Sequence, residues 1–450
     1  MSTKPNTSDE GIYDVRSLGL PKTLILGLQH MFAMFGATIL VPIITGLDVA
    51  TTLLMAGLGT LLFHLITGGK VPAFLGSSFA FLGGYAAVAP RLADGSSNIE
   101  MIPFACLGVF VAGLIYLVVA ALIRVFGVQK VMRFFPPVVT GPIIISIGLI
   151  LAPTAVNNVT TPINEQIPVA YNWIVALTAF LLIVVCNIWG RGMIKIIPII
   201  IGVVGSYIVA VCLGMVDFAA VANADIIGLP LHSNQFMFGA FKDISKSVSA
   251  IITIAPIALA TMMEHIGDIS AISATAGKNY IAKPGLHRTL LGDGLATSFS
   301  AMFGGPANTT YGENTGVLAL TRVYDPRVMQ IAAVFAILLS FFPKISAAIS
   351  TIPSPIIGGI SFVLYGMISA IGVRNVVENQ VDFTKSRNLI VAAVILVSAL
   401  GFNGVGGISF TIGSATITLS GLAIAAILGI LLNAILPGKD YVFQADDVEN

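Results

Sequence analysis

What most constrains this chain is the succession of long apolar runs along it. From Ile102 to Ile123, for example, no charged side chain interrupts the sequence. A helix needs about 20 mostly apolar residues to cross the hydrocarbon core of a bilayer. Within that core only helices and closed barrels satisfy their own backbone polar groups. Barrel strands are short and alternate apolar with polar residues, and these runs do neither. The sequence therefore predicts an all-α polytopic membrane protein.

Composition bounds the number of crossings. Apolar residues make up 56% of the chain, and with the 46 glycines they furnish at most about 15 spans. Only 10% of residues are charged, where a soluble domain carries about 25%. The formal net charge of +1 gives no basic footprint for nucleic acid. Cys106, Cys186 and Cys212 all lie in apolar runs, without metal spacing or a disulfide framework. Residues 1–22 are polar and lack the pattern of a secretory signal, so no cleaved peptide is expected before the first span.

Fourteen spans are expected. They lie near 23–43, 50–67, 74–89, 102–126, 135–153, 172–190 and 193–213, then 248–270, 288–304, 309–321, 328–349, 355–373, 388–402 and 417–436. The third and tenth are short, rich in Gly, Ser, Thr or Asn, and read as discontinuous or extended segments. Lys and Arg mark the cytoplasmic side. With a cytoplasmic N-terminus, eighteen of the 22 fall inside, and only Arg91, Lys242, Lys246 and Lys344 fall outside. Dropping either short segment as a crossing would move several inner charges outside. Both termini are expected in the cytoplasm, with 1–22 and 437–450 as tails.

Three paired marks recur in the same order, about 220 to 235 residues apart. Gln29-His30 pairs with Glu264-His265. Gly76-Ser77-Ser78-Phe79 pairs with Thr309-Thr310-Tyr311-Gly312-Glu313. Pro137-Val138-Val139-Thr140-Gly141 pairs with Pro355-Ile356-Ile357-Gly358-Gly359. Seven spans per half is an odd number, so the halves would be inverted in the membrane. Inverted repeats with broken helices are a pattern of secondary transporters, whose substrate sits near the midplane.

An ionisable residue inside a membrane is costly and points to function. Glu264, Asp268 and Glu313 lie within predicted spans, and Asp293 is a fourth candidate. Glu264 and Asp268 are four residues apart and share a helix face; His265 points elsewhere. Two adjacent carboxyls in a low dielectric do not both ionise cheaply. The pair is a proton carrier or a structural hydrogen bond between helices. The segments at Gly76-Ser77-Ser78 and Asn308-Thr309-Thr310 are rich in N-cap types. They suit an extended stretch that starts a half-helix, whose free N–H groups meet a polar ligand. The alternative is a small-residue packing contact.

Carboxylates accept N–H bonds and backbone N–H groups donate to carbonyls, so a planar imide such as a pyrimidine or oxopurine fits both. Phe79, Tyr311 and Tyr365 are candidates to wall such a ring. His30 reads first as an interhelical hydrogen bond, His64 and His287 as interfacial, and Asp293 as a packing or cytoplasmic-side network residue. No catalytic triad order, Walker A loop or HExxH occurs, so no enzyme and no ATP-driven pump is expected. An anion exchanger of the same architecture would call for a cation at the half-helices, where only Glu313 stands.

At these residues the sequence resembles the nucleobase–ascorbate transporter family. Glu313-Asn314-Thr315-Gly316 followed by Thr321-Arg322 matches the family signature: Gln, Glu or Pro, then Asn-x-Gly, four residues, and Thr with Arg, Lys or Gly. Gln29-His30, the run from Gly76 to Phe81 and Glu264 are further family marks, and the resemblance extends from about Lys22 to Leu436. Within the family, Gln29 to Thr38 and Asn308 to Asn314 are most similar to the bacterial uracil permease branch.

The resemblance implies proton symport of uracil across the bacterial inner membrane, with no cofactor beyond the coupling proton. It implies two inverted repeats of seven spans. A core domain would comprise 23–128 and 246–350, and a gate domain 129–245 and 351–436. Glu264 and Glu313 would bond the base, with the N–H groups of Phe79 and Gly312, and Ala37, Tyr311 and Tyr365 would line the pocket. Glu264, Asp268, Glu313 and His30 would serve proton coupling. Relatives imply a homodimer through the gate domain, in contact with membrane lipid. One position departs: the best-known uracil permeases carry His where Asp268 stands, as in the purine branch, which leaves xanthine or urate as an alternative substrate.

Overall fold

The computed structural model describes residues 11–92, 96–163, 167–412 and 415–438. Helix is found in each of the fourteen expected segments. In the first half these are α1 (Leu20–Thr45), α2 (Val49–Thr67), α3 (Leu82–Val88), α4 (Ile102–Phe126), α5 (Pro137–Thr160), α6 (Val169–Trp189) and α7 (Pro198–Cys212). In the second half they are α8 (Ile244–Ala276), α9 (Leu286–Met302), α10 (Gly312–Thr321), α11 (Pro326–Ser340), α12 (Ser354–Glu378), α13 (Ser386–Gly404) and α14 (Gly421–Ile435). Among the described residues eight helices are long and apolar enough to cross a membrane, or nine counting α11 with its bent continuation. The protein is a polytopic helical membrane protein.

Local chemistry explains the ends. Helix α1 starts with a proline in its first turn and stops at Gly46, which adopts φ 86°. The Asp48 carboxylate caps α2 by accepting from Thr51 N at 2.6 Å. Three expectations are corrected. Helix α5 runs past Pro153, where the sequence suggested a stop, and ends at Thr160. The expected span 328–349 breaks after Ser340 and turns by 84° into Pro343–Ser350, because Pro343 cannot continue the ladder. The expected span 417–436 begins as strand: β3 (Ile408–Ile412) and β4 (Ala415–Leu419) form an antiparallel hairpin, and α14 starts only at Gly421.

The packing is pseudo-symmetric. Adding seven to a label turns observed helix pairs into other observed pairs. Thus α1·α11 corresponds to α8·α4, α2·α11 to α9·α4, α6·α7 to α13·α14, and α6·α12 to α13·α5. The pairs α2·α9 and α5·α12 map onto themselves, and each runs antiparallel. Gly141 faces Gly372 and Val376 while Gly148 faces Tyr365 and Ser369. Gly59 faces Ala296 while Gly292 faces Phe63. A twofold axis lying across the helices requires antiparallel self-pairs, whereas one along them would make the pairs parallel. Glycines serve these contacts because lipid gives helices no hydrophobic drive to associate, so close backbone approach must do it.

The pairs fall into two groups, α1–α4 with α8–α11 and α5–α7 with α12–α14. The groups meet chiefly at α1·α7, α5·α8, α8·α14 and β4·α8. At one end of the bundle the N-terminal segment straps the first group: Tyr13 Oη donates to Ala276 O at 2.7 Å, and Val15 N donates to Asp325 Oδ2 at 2.8 Å.

Candidate functional site

Two short strands cross at the middle of the molecule. β1 (Leu75–Ser77) pairs antiparallel with β2 (Asn308–Thr310), in the register Leu75 to Thr310, Gly76 to Thr309 and Ser77 to Asn308. Ser78 N donates to Ala307 O at 2.8 Å and Tyr311 N to Phe74 O at 3.0 Å, extending the ladder at each end. All six strand residues are buried. Extended backbone at this depth is satisfied only by such pairing.

Each strand is clasped by a threonine. Thr60 Oγ1 on α2 donates to Leu75 O at 3.1 Å and accepts from Leu75 N at 2.9 Å. Thr297 Oγ1 on α9 does the same to Asn308, at 2.8 and 3.2 Å. The clasps are related by the same shift of seven helices. Each strand then starts a half-helix, β1 through a 3-10 turn (Phe79–Phe81) that runs into α3 and β2 directly into α10. Ser78 and Tyr311 are extended N-cap residues, and neither helix start receives a side-chain cap. First-turn N–H groups have no partner inside a helix. The arrangement therefore holds two uncapped helix starts, at Phe79 and Gly312, on opposite strands of one crossing.

Phe79, Gly312, Tyr311, Tyr365 and Asp268 of the expected site residues meet at this crossing. Phe79 lies edge-on to Tyr365 of α12, with centroids 6.0 Å apart, so the crossing touches the second helix group. Ala37 is fully buried in α1. A Cβ on Gly312 would lie 3.4 Å from Asp268 Oδ1, so that carboxylate reaches the first turn of α10, where it meets the positive end of the helix dipole. Glu264 sits one turn earlier on α8, half-buried. Glu313 has its backbone in the first turn of α10, and its side chain lies outside the described residues. Tyr311 has a bracing role: its hydroxyl donates to Ser77 O at 2.9 Å and accepts from Thr38 Oγ1 at 3.3 Å. His30 makes the interhelical contact, with Asn314 Nδ2 donating to His30 Nδ1 and His30 O, both at 3.2 Å.

One cluster was not anticipated. His265 Nδ1 lies 3.0 Å from Thr310 Oγ1 and 3.1 Å from Asp293 Oδ2, and His265 and Asp293 have no exposed side-chain surface. His265 does point away from the face of Glu264, but it points at β2. Asp293 is fully buried, with its Oδ2 against that histidine, which fits the packing alternative. Its flanks were the signal: Gly292 packs on Phe63 and Gly294 on Gly113 and Tyr116, which turns Asp293 inward. His64 has a protein partner as well. It lies in the last turn of α2 but is buried in the protein, and its Nε2 lies 3.0 Å from Ala73 O. Among the described residues no cluster of three His, Cys, Asp or Glu side chains suits a metal ion.

Comparison with known proteins decides the family. A model for the xanthine/uracil permeases, described as "Permease family", matches residues 21–408. The chain belongs to the xanthine/uracil permease family. It is 45% identical over 418 residues to the uracil permease of Bacillus caldolyticus, covering 92% of each chain. It is 43% identical to the uracil permease of Bacillus subtilis (strain 168), covering 94% of each, and 39% identical to that of Escherichia coli (strain K12), covering 96% of each. The fold is shared more widely. The transmembrane domain of the cyanobacterial bicarbonate transporter BicA superposes with a TM-score of 0.63 at 15% identity, covering 94% of this chain and 99% of that one. SLC26A9 gives 0.61 at 12%, covering 94% of this chain and 66% of that one. As a xanthine/uracil permease the chain is a transporter and not an enzyme.

Proposed function

We propose that this permease imports uracil together with a proton, by alternating access. The observation that carries the reading is the strand crossing. It presents two uncapped half-helix starts with the Asp268 carboxylate at the second, a donor–acceptor set matched to an imide. Identities of 39–45% to uracil permeases over more than nine-tenths of the chain support uracil as the base. In this reading the N–H groups of Phe79 and Gly312 donate to the base carbonyls, and Glu264 and Glu313 accept its N–H groups. Ala37, Phe79, Tyr311 and Tyr365 shape the pocket. Asp268, at the first turn of α10, shares the coupling proton with Glu264 and Glu313, while His30 fixes α1 to α10 through Asn314.

The shift-by-seven packing and the antiparallel self-pairs support fourteen crossings in two inverted repeats. The group α1–α4 with α8–α11 is then the core that carries the site, and α5–α7 with α12–α14 is the gate. Both termini are cytoplasmic in the bacterial inner membrane, and two copies associate through the gate. Asp268 favours a second reading, xanthine or urate symport through the same site. Uptake of labelled uracil into vesicles, with and without a protonophore and with excess unlabelled bases, tests both. We expect uracil to compete best and the protonophore to abolish accumulation. Glu313→Gln is expected to lower uptake at least about a hundredfold, the scale set by losing a hydrogen bond to a charged group in a dry site. Normal uptake by that variant overturns the assignment.

A further inference from the structure

At the end of the bundle carrying the N-terminal strap, a cavity of about 170 Å³ opens between the start of α5, the α12–α13 loop and the end of α14. Among the described residues three cations line it, Arg133, Lys385 and Arg387, against one acid, Asp382. The Arg387 guanidinium is half-buried and fixed. Its Nη1 donates to Asn388 Oδ1 at 3.1 Å, and its Nη2 to Asn433 Oδ1 at 2.7 Å and Asn433 O at 3.1 Å. Asn433 is anchored in turn, its Nδ2 donating to Arg133 O at 3.0 Å. The Arg387 Nε is buried and has no hydrogen-bond partner among the described residues. A buried cationic donor left unmatched is costly, and an anion is the chemistry that matches it.

Two more features have the same sign. Helices α5 and α13 both begin at this cavity, and neither start has a side-chain cap. Their dipoles add positive potential there. Asp382 opposes an anion, but its Oδ1 is held by the Thr384 hydroxyl at 2.6 Å and the Thr384 amide at 2.9 Å. Those bonds keep its carboxyl below the usual aspartate range, so it stays ionised, and the described lining still carries more cations than anions. The surroundings are apolar. Phe134, Phe383, Leu389 and Ile435, close in the chain to the lining, are exposed by 45, 37, 55 and 76%. A soluble anion makes no use of such a rim, whereas a lipid does. Basic pockets between helix ends on the cytoplasmic side are suited to acidic headgroups.

We propose that this cavity binds the phosphodiester headgroup of an anionic phospholipid. The test uses the purified full chain and native mass spectrometry after exchange into mixed micelles of phosphatidylglycerol and phosphatidylcholine. Wild type is expected to retain phosphatidylglycerol preferentially, and millimolar inorganic phosphate is not expected to displace it. Each cation near a charged headgroup accounts for about fivefold in affinity. The double variant Arg133→Gln/Lys385→Gln, in which both side chains are exposed, is therefore expected to lose roughly 25-fold in retention. Arg387→Lys keeps the charge but removes the Nε donor, and is expected to lose preference as well. Equal retention of the two lipids by wild type overturns the proposal. So does unchanged retention by the double variant, or displacement by inorganic phosphate, which would mark a free-anion site.

Discussion

Asp293 and His265 show how much a single buried contact carries here. Both are sealed from water, and His265 joins Asp293 on α9 to Thr310 in β2. Asp293→Ala leaves the ring without that partner, at a cost of about 1–3 kcal/mol, and loosens the hold on β2. The thermal midpoint of the purified protein is expected to fall and uptake to drop at least about tenfold, the scale of one lost contact to a charged group. Asp293→Asn keeps a polar partner and should retain most stability. Wild-type midpoints for both variants would refute the bracing role. This pair was only half legible in the sequence. The four intramembrane acids stood out because charge is scarce, but a histidine's partner depends on how α8 is rotated against α9. The same limit applied to His64, whose carbonyl partner at Ala73 becomes visible only once the chain after α2 folds back.

At the scale of elements, the short polar segments were readable because Gly, Ser, Thr and Asn replace apolar residues where a span is expected. Their antiparallel register and their threonine clasps were not readable, since Thr60 and Thr297 look like ordinary helix residues. The β3–β4 hairpin was missed although Ile408–Leu419 carries a two-residue alternation around Gly413-Ser414. The apolar content that follows drew the segment into the last span. The crossing itself makes a sharp prediction. A Cβ at Gly76 would lie 2.5 Å from the Tyr311 ring and 2.8 Å from Thr38 Oγ1. That ring cannot swing away without breaking its bond to Ser77 O. Gly76→Val is expected to cost about 1–3 kcal/mol by overpacking and to abolish uptake with the protein still inserted. Gly83→Ala, where no atom lies within 4 Å of the new Cβ, is the control and should transport normally. Unimpaired uptake by Gly76→Val would mean that the strands need not approach this closely.

For the whole molecule, alternating access requires contacts that hold within each helix group and part between them. Self-pairs such as α5·α12 are tight, with a Cβ on Gly148 landing 2.1 Å from Tyr365 O, so each group is suited to move as a body. The contacts between groups are fewer, and one is distinctive: β4 lies against the start of α8. Between them sits a cavity of about 320 Å³, lined by Ser245, Lys246, Ser249 and Thr253 of α8, by Thr418 of β4 and by the end of α3. Both α3 and α8 lead from this cavity to the crossing, and in the proposed topology it faces outward. Opening the outer path then requires the hairpin to leave α8. Tying the two together should stop transport without touching the site. Ser249→Cys with Thr418→Cys provides the pair, in a Cys212→Ser background because Cys212 is exposed whereas Cys106 and Cys186 are buried. Joining the pair with a short, reducible bifunctional thiol reagent is expected to cut uracil uptake to the level of empty vesicles. Reductant should restore it, and either single cysteine should be insensitive. Full uptake by quantitatively cross-linked protein would show that the hairpin moves with the core, and the boundary between moving bodies would then have to be drawn elsewhere.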